Sequence, residues 1–216
     1  MTTPAAVVHI VDDDEAVQDS LRLLLDAAGF AVRAHASAEA LLSAGPTPPG
    51  CVLTDVRMPG MDGLELLRRL RAAAITVPVV VMTGHADVPM AVRAMQAGAL
   101  NFLEKPFSDE ALFAAVRAAL DESRRTAEAR AQSEKASVRI AGLTPREREV
   151  FDLLVEGLPT KAIARALGAS PRTIEVHRGR VMEKLAAHSL PELVRLALAA
   201  QGKPISSHST MSVEKE

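Results

Sequence analysis

Five short apolar runs alternate with amphipathic stretches through the first half of this 216-residue chain. Val7 to Val11, Ala31 to Ala34, Cys51 to Asp55, Val77 to Thr83 and Asn101 to Lys105 read as strands. Glu15 to Ala28, Ala38 to Leu42, Gly63 to Ala74 and Val88 to Ala97 read as helices between them. A further helix starts near Ser108, an N-cap residue followed by Asp109 and Glu110. Strands that alternate with helices imply a parallel sheet covered on both faces, and near-continuous Val, Ile and Leu runs fit strands buried on both sides. In such sheets sites lie at the carboxyl ends of the strands. Asp12, Asp55, Thr83 and Lys105 fall there.

The second half changes character. Ser123 to Ser137 contains no Gly, no Pro and no large apolar residue, so it reads as a linker. Its Ala, Glu and Arg content equally permits an extension of the preceding helix. Thr144-Pro145-Arg146-Glu147 then forms a capping box with Pro at N1. Gly157 ends that helix, Lys161 to Leu167 is a short second one closed by Gly168, and Ser170-Pro171 caps a third that runs to about Leu185. A last helix follows Ser189-Leu190-Pro191. The Gly-Ala-Ser-Pro corner between two short helices signals a helix-turn-helix. The expected division is residues 1–122, a linker at 123–138, a helical domain at 139–202 and a disordered tail at 203–216.

Charge follows the same division. Residues 1–124 carry a net charge of −6 and residues 139–203 one of +4, which suggests two modules with different partners. No apolar run approaches the roughly 18 residues of a membrane span. The start, Met-Thr-Thr-Pro-Ala-Ala, lacks the basic and apolar regions of a signal peptide, so a cytoplasmic protein without a membrane partner is expected. A single cysteine, Cys51, excludes an internal disulfide framework and reads as a small buried hydrophobe. With no Trp, no Tyr and 5 Phe, the chain lacks aromatic platforms for single-stranded nucleic acid.

Asp12, Asp13 and Asp14 follow the first strand, and Asp55 ends the third. Carboxylates gathered so closely repel unless a cation sits among them, which predicts a hard divalent ion with oxygen ligands, Mg²⁺. Asp14 also reads as an N-cap. Asp55 would act as nucleophile toward a phosphoryl group, with Mg²⁺ and Lys105 neutralising charge and the Thr83 hydroxyl bonding a phosphate oxygen.

These residues carry a resemblance. V-D-D-D, L-T-D-V-R-M-P-G-M-D-G, V-M-T-G-H and E-K-P-F resemble, in order and spacing, the motifs of the receiver domain of two-component response regulators. T-G-H-A-D-V-P-M-A-V-R-A-M-Q-A-G-A and F-L-E-K-P-F resemble its FixJ branch. The resemblance implies an α/β flavodoxin-like, doubly wound five-stranded sheet. It implies that Asp55 is the phosphoacceptor, that Asp12, Asp13, Asp55 and the Arg57 main-chain carbonyl hold Mg²⁺, and that Lys105 binds phosphate. Thr83 and Phe102 become the switch residues, a histidine kinase the donor, and the bond from Lys105 to Pro106 cis. Phosphorylation would move Thr83, turn Phe102 and reshape the face around Val88–Ala97 and Asn101–Lys105 for pairing with a second copy. Arg57 and His85 would tune acyl-phosphate hydrolysis by shaping water access.

In the third helix of the basic half, Ile174, Val181 and Leu185 share one face, which leaves Arg172, Thr173, His177, Arg178 and Arg180 for other faces. Such a helix can enter a major groove. L-T-P-R-E-R-E-V, G-L-P-T-K-A-I-A-R-A-L-G and S-P-R-T-I-E-V-H-R-G-R-V-M-E-K-L resemble the LuxR-type helix-turn-helix of the FixJ/NarL regulators. This implies an all-α four-helix domain that binds double-stranded DNA as a dimer, with RNA polymerase as a further partner. Lys161, Ser170, Arg172, Thr173, Glu175, Val176, His177, Arg178 and Arg180 are the candidate contacts. Pro159 and Thr160 replace the more usual Ser-Asn, and Glu175 and Gly179 stand where relatives are often basic. His177 either touches DNA or packs against a neighbouring helix. His9 reads as a strand residue.

The leading expectation is a phosphorylation-dependent transcription regulator, an activator by preference. Two alternatives stand beside it: an aspartyl-phosphate phosphohydrolase, and a phosphorelay intermediate without output. The first often has a second acid two residues after its nucleophile, where this chain has Arg57.

Overall fold

The structure is a computed structural model that describes residues 6–46, 49–84 and 88–201. The chain divides into two compact units, Met1–Ala127 and Glu128–Glu216. The first holds β1 (Val7–Val11), α1 (Glu15–Ala27), β2 (Ala31–His35), α2 (Ala38–Ala44) and β3 (Gly50–Asp55). It continues with α3 (Gly63–Ala72), β4 (Val79–Thr83), α4 (Val88–Gln96), β5 (Asn101–Glu104) and the start of α5 (Asp109–Ala141). All pairings are parallel, in the order β2-β1-β3-β4-β5.

Side-chain alternation along the strands builds a core on each face. Val52, Val79 and Val81 point into a cluster with Leu41, Leu66, Leu67, Leu70 and Ala94 of α2, α3 and α4. Their neighbours Cys51, Leu53, Val80 and Met82 point the other way, against Leu21, Leu25, Leu112 and Val116 of α1 and α5. Every residue of β3 and β4 is buried, which explains the continuous apolar runs Cys51–Leu53 and Val79–Met82 that precede their polar carboxyl ends. The order reverses at the β1–β3 pair, so their carboxyl ends flank the crevice where doubly wound sheets place sites.

Four strand boundaries differ from expectation: β2 runs on to His35, β3 begins at Gly50, and β4 and β5 are shorter. β4 starts at Val79, not Val77, because Pro78 has no N–H to give the ladder; its carbonyl still accepts from Val52 N at 2.9 Å. β5 ends at Glu104, and Lys105 N donates to the Thr83 carbonyl at 2.7 Å beyond it. The Lys105–Pro106 bond is cis.

Residues 123–138 are helical throughout, as part of the 33-residue α5. Ion pairs one turn apart line its surface, among them Arg125–Glu122 and Arg130–Glu134. Such pairs add only about 0.3–0.5 kcal/mol each, so anchoring matters more. Ser123, buried in the first unit, accepts from Gly50 N at 3.0 Å through its hydroxyl.

The second unit packs the end of α5 with α6 (Pro145–Val155), α7 (Thr160–Ala166), α8 (Pro171–Lys184) and α9 (Leu190–Ala200). Its core gathers Ile140, Val150, Phe151, Leu154, Ile163, Ile174, Val181, Leu185 and Leu193. The capping box at Thr144 is present in both directions: Glu147 N donates to Thr144 Oγ1, and Thr144 N to Glu147 Oε2. That carboxylate also accepts from Lys184 Nζ at 2.7 Å and so ties α6 to the end of α8. Lys184 and the Thr144 N–H hold the Glu147 pKa down to about 2. The expected tail at 203–216 lies outside the described residues.

Candidate functional site

Four strand ends bring Asp12, Asp55, Thr83 and Lys105 to one edge of the sheet. Asp12 follows β1 and is 2% exposed; Asp55 closes β3 at 9%; Thr83 closes β4 at 1%. Lys105 Nζ bonds Asp12 Oδ2 at 3.0 Å and Asp55 Oδ1 at 2.8 Å. Burial works against the ammonium, but the hydrogen bonds to Asp55 and Asp12 outweigh it and hold the Lys105 pKa above its ordinary value. The second oxygen of Asp55 accepts from Arg57 N at 2.6 Å, which fixes the carboxylate plane.

The other acidic residues separate by role. Asp14 is the N-cap of α1 and accepts from Ala16 N and Val17 N. Asp13 is exposed. Among the described residues no three His, Cys, Asp or Glu side chains stand close enough to cage a metal ion. Mg²⁺ does not require such a cage: it is commonly held by one or two carboxylates, with water and phosphate for the rest. Asp12 and Asp55 converge on a single ammonium, so their oxygens fit that demand.

Two supporting residues escaped the sequence reading. Gln18 on α1 donates from Nε2 to the Asp12 carbonyl at 2.6 Å and steadies the turn after β1. Gly63 opens α3 so close to β3 that a Cβ there would lie 2.1 Å from the Asp55 carbonyl oxygen. The signal was the Asp-Gly pair at 62–63, where an N-cap is followed by the residue that costs a helix most flexibility. Gly60 takes a left-handed φ of 77°, as the turn after Met58-Pro59 requires.

Phe102 is half-buried on β5 and packs on the α2–α4 side of the sheet. On α4, Val88 is 77% exposed, and Val92 and Met95 are exposed too, as is Leu100 in the turn just before β5. His85 lies outside the described residues.

In the second unit Ser170 Oγ accepts from Thr173 N at 3.1 Å and starts α8. Ile174 and Val181 are buried beneath it. Lys161, Ser170, Arg172, Thr173, Glu175, Val176, Arg178 and Arg180 are exposed. His177 alone of the candidate contacts is half-buried, and its Nδ1 is buried without a hydrogen-bond partner.

Comparison with known proteins matches this geometry. Residues 8–117 match the family described as the response regulator receiver domain, and residues 141–197 the bacterial regulatory proteins of the luxR family. The transcriptional regulatory protein FixJ of Azorhizobium caulinodans is 54% identical over 198 residues, 91% of this chain and 94% of that protein. FixJ of Bradyrhizobium diazoefficiens is 50% identical over 93% of this chain and 98% of its own length. Among solved structures, the response regulator StyR aligns with a TM-score of 0.77 at 41% identity, covering 89% of this chain and 98% of StyR.

Proposed function

The chain belongs to the FixJ-type response regulators, which join a receiver domain to a LuxR-type DNA-binding domain and regulate transcription, and on that premise we propose that Asp55 takes the phosphoryl group. One observation carries the reading. Lys105 Nζ spans Asp12 and Asp55 at 3.0 and 2.8 Å, so the nucleophile, its acidic neighbour and a cation for the incoming oxygens share one point.

In the transfer, phosphorus leaves a ring nitrogen of a kinase histidine, which keeps the bonding electron pair, and bonds a carboxylate oxygen of Asp55. Asp12, Asp13, Asp55 and the Arg57 carbonyl would hold Mg²⁺, which supplies charge neutralisation when bound. Lys105 exchanges a carboxylate for a phosphoryl oxygen, and the Thr83 hydroxyl bonds another. Phosphorylation adds about −1.5 to −2 of charge at Asp55. Phe102 then turns inward behind Thr83, and the face of Val88, Val92, Met95 and Leu100 pairs with a second copy. Slow self-dephosphorylation, with Arg57 controlling water access, resets the chain.

The output is double-stranded DNA, met by α8 with Arg172, Thr173, Glu175, Val176, His177, Arg178 and Arg180, together with Lys161 of α7 and the cap Ser170. Activation through RNA polymerase in the cytoplasm completes the reading. A family of transcription regulators leaves no role for a phosphohydrolase, and the matched luxR domain supplies the output that a bare relay would lack.

The test is Asp55→Asn, treated with acetyl phosphate and Mg²⁺ and followed by intact mass, light scattering and gel shift. The wild type gains one phosphoryl group, moves toward dimer and binds DNA more tightly; the variant does none of these. A variant that still gains the group and dimerises overturns the assignment.

A further inference from the structure

Helix α8 contains a glycine that the folded domain does not need, and we propose that it marks where a thymine is read. The thymine 5-methyl group seats against Gly179 Cα and the Val176 methyls. This rests on the DNA-binding reading above and names the base feature that the site takes.

Most of the other described glycines have internal reasons. Six take left-handed φ, and Gly63 is crowded against the Asp55 carbonyl. Gly179 has neither reason. It lies in the middle of α8, its φ is not left-handed, and a Cβ built there meets nothing within 4 Å. Glycine in a helix interior costs about 1 kcal/mol relative to alanine. Nothing inside the chain offsets that cost, so the space at Gly179 serves something that arrives from outside.

The surroundings select the visitor. Arg172, Val176 and Gly179 recur at i, i+4 and i+7, opposite buried Ile174 and Val181, so they form one outward stripe. Val176 is 50% exposed. Glu183, next on the stripe, repels phosphate, so the reading face ends at Gly179. The notch between Val176 and Gly179 is apolar, and mid-helix N–H groups are already bonded within α8, so it has no donor to offer a phosphate. Among the four bases thymine alone presents a methyl group in the major groove. Arg172 lies one turn nearer the helix N-terminus, where side chains approach base edges.

The full-length chain is used to enrich duplexes from a random-sequence pool. The enriched duplex is then titrated with wild type, Gly179→Ala and Val176→Ala, with each thymine replaced singly by deoxyuridine. One thymine per half-site should weaken wild-type binding about fourfold on losing its methyl, the effect of one buried methyl group. Val176→Ala should lose most of that sensitivity. Gly179→Ala should bind at least about fivefold more weakly, as for one mismatched base pair, while melting no lower than wild type. Wild-type affinity in Gly179→Ala, or a duplex in which no thymine methyl matters, overturns the inference. A pool that yields no enriched sequence overturns the DNA-binding reading itself, and this inference with it.

Discussion

His9 on β1 and His35 at the end of β2 are buried side by side, with Nδ1 of one 3.0 Å from Nε2 of the other and their rings stacked. Burial, then His35, then Arg33 lower the His9 pKa to about 4 from 6.5; burial and Arg33 lower that of His35 as well. Both imidazoles are therefore neutral in the fold at pH 7. An unfolded chain binds the His9 proton near pH 6.5 and the folded one only near 4, so stability falls as pH drops through that window. We expect a loss on the order of 2 kcal/mol between those limits, read as a falling receiver melting temperature, and a flatter profile in His9→Val. An unchanged profile in the variant would place the acid sensitivity elsewhere. The chain's spacing of 26 residues between the two histidines disclosed no pairing; only the parallel β1–β2 register does. Asp13 makes the complementary point. The acidic run does not tell its members apart: the turn after β1 directs Asp12 to Lys105 and leaves Asp13 at the surface.

At the scale of elements, caps and clamps decide where each helix ends. Arg71, in the last turn of α3, donates to the carbonyls of Ile75, Val77 and Gly98 and so ties α3 to the turn that follows α4. No local pattern signals such a clamp, because its acceptors are backbone groups 27 residues away or less, in a loop and a turn. Several caps, by contrast, were legible: Asp14, Ser108, Thr144 and Ser170 each accept from a backbone N–H at the start of a helix. Thr144→Ala should cost the second unit about 1 kcal/mol, seen as a lower midpoint in denaturant with an unchanged slope; a change in slope would mean that more than a cap was lost. Alternating strands and helices were equally plain, since buried β3 and β4 carry the unbroken apolar runs Cys51–Leu53 and Val79–Met82. The extent of α5 was not. Ala, Glu and Arg permit helix and linker alike, and only anchors such as Ser123 and Ile140, set by distant partners, select the helix.

At the scale of the molecule, the two units share no core residue among the described residues. Val8 to Leu120 fill the two faces of the sheet, and Ile140 to Ala197 fill the helical domain. Calorimetry should therefore resolve two unfolding transitions. His9→Val should move only the first unit's transition and Thr144→Ala only the second's. A single transition that both variants shift together would show coupling that the separate cores do not supply. Charge divides along the same line, acidic before residue 124 and basic after 139, as a kinase-facing and a DNA-facing module require. One buried side chain sets a practical limit on chemistry at the surface. Cys51, the chain's single thiol, is fully covered in β3 and its pKa is pushed up to about 12. Copies of the chain cannot be stapled together by air oxidation, and a maleimide dye finds no native target. A cysteine introduced at Arg172 would thus be labelled cleanly, giving an optical reporter of α8 with no background to subtract.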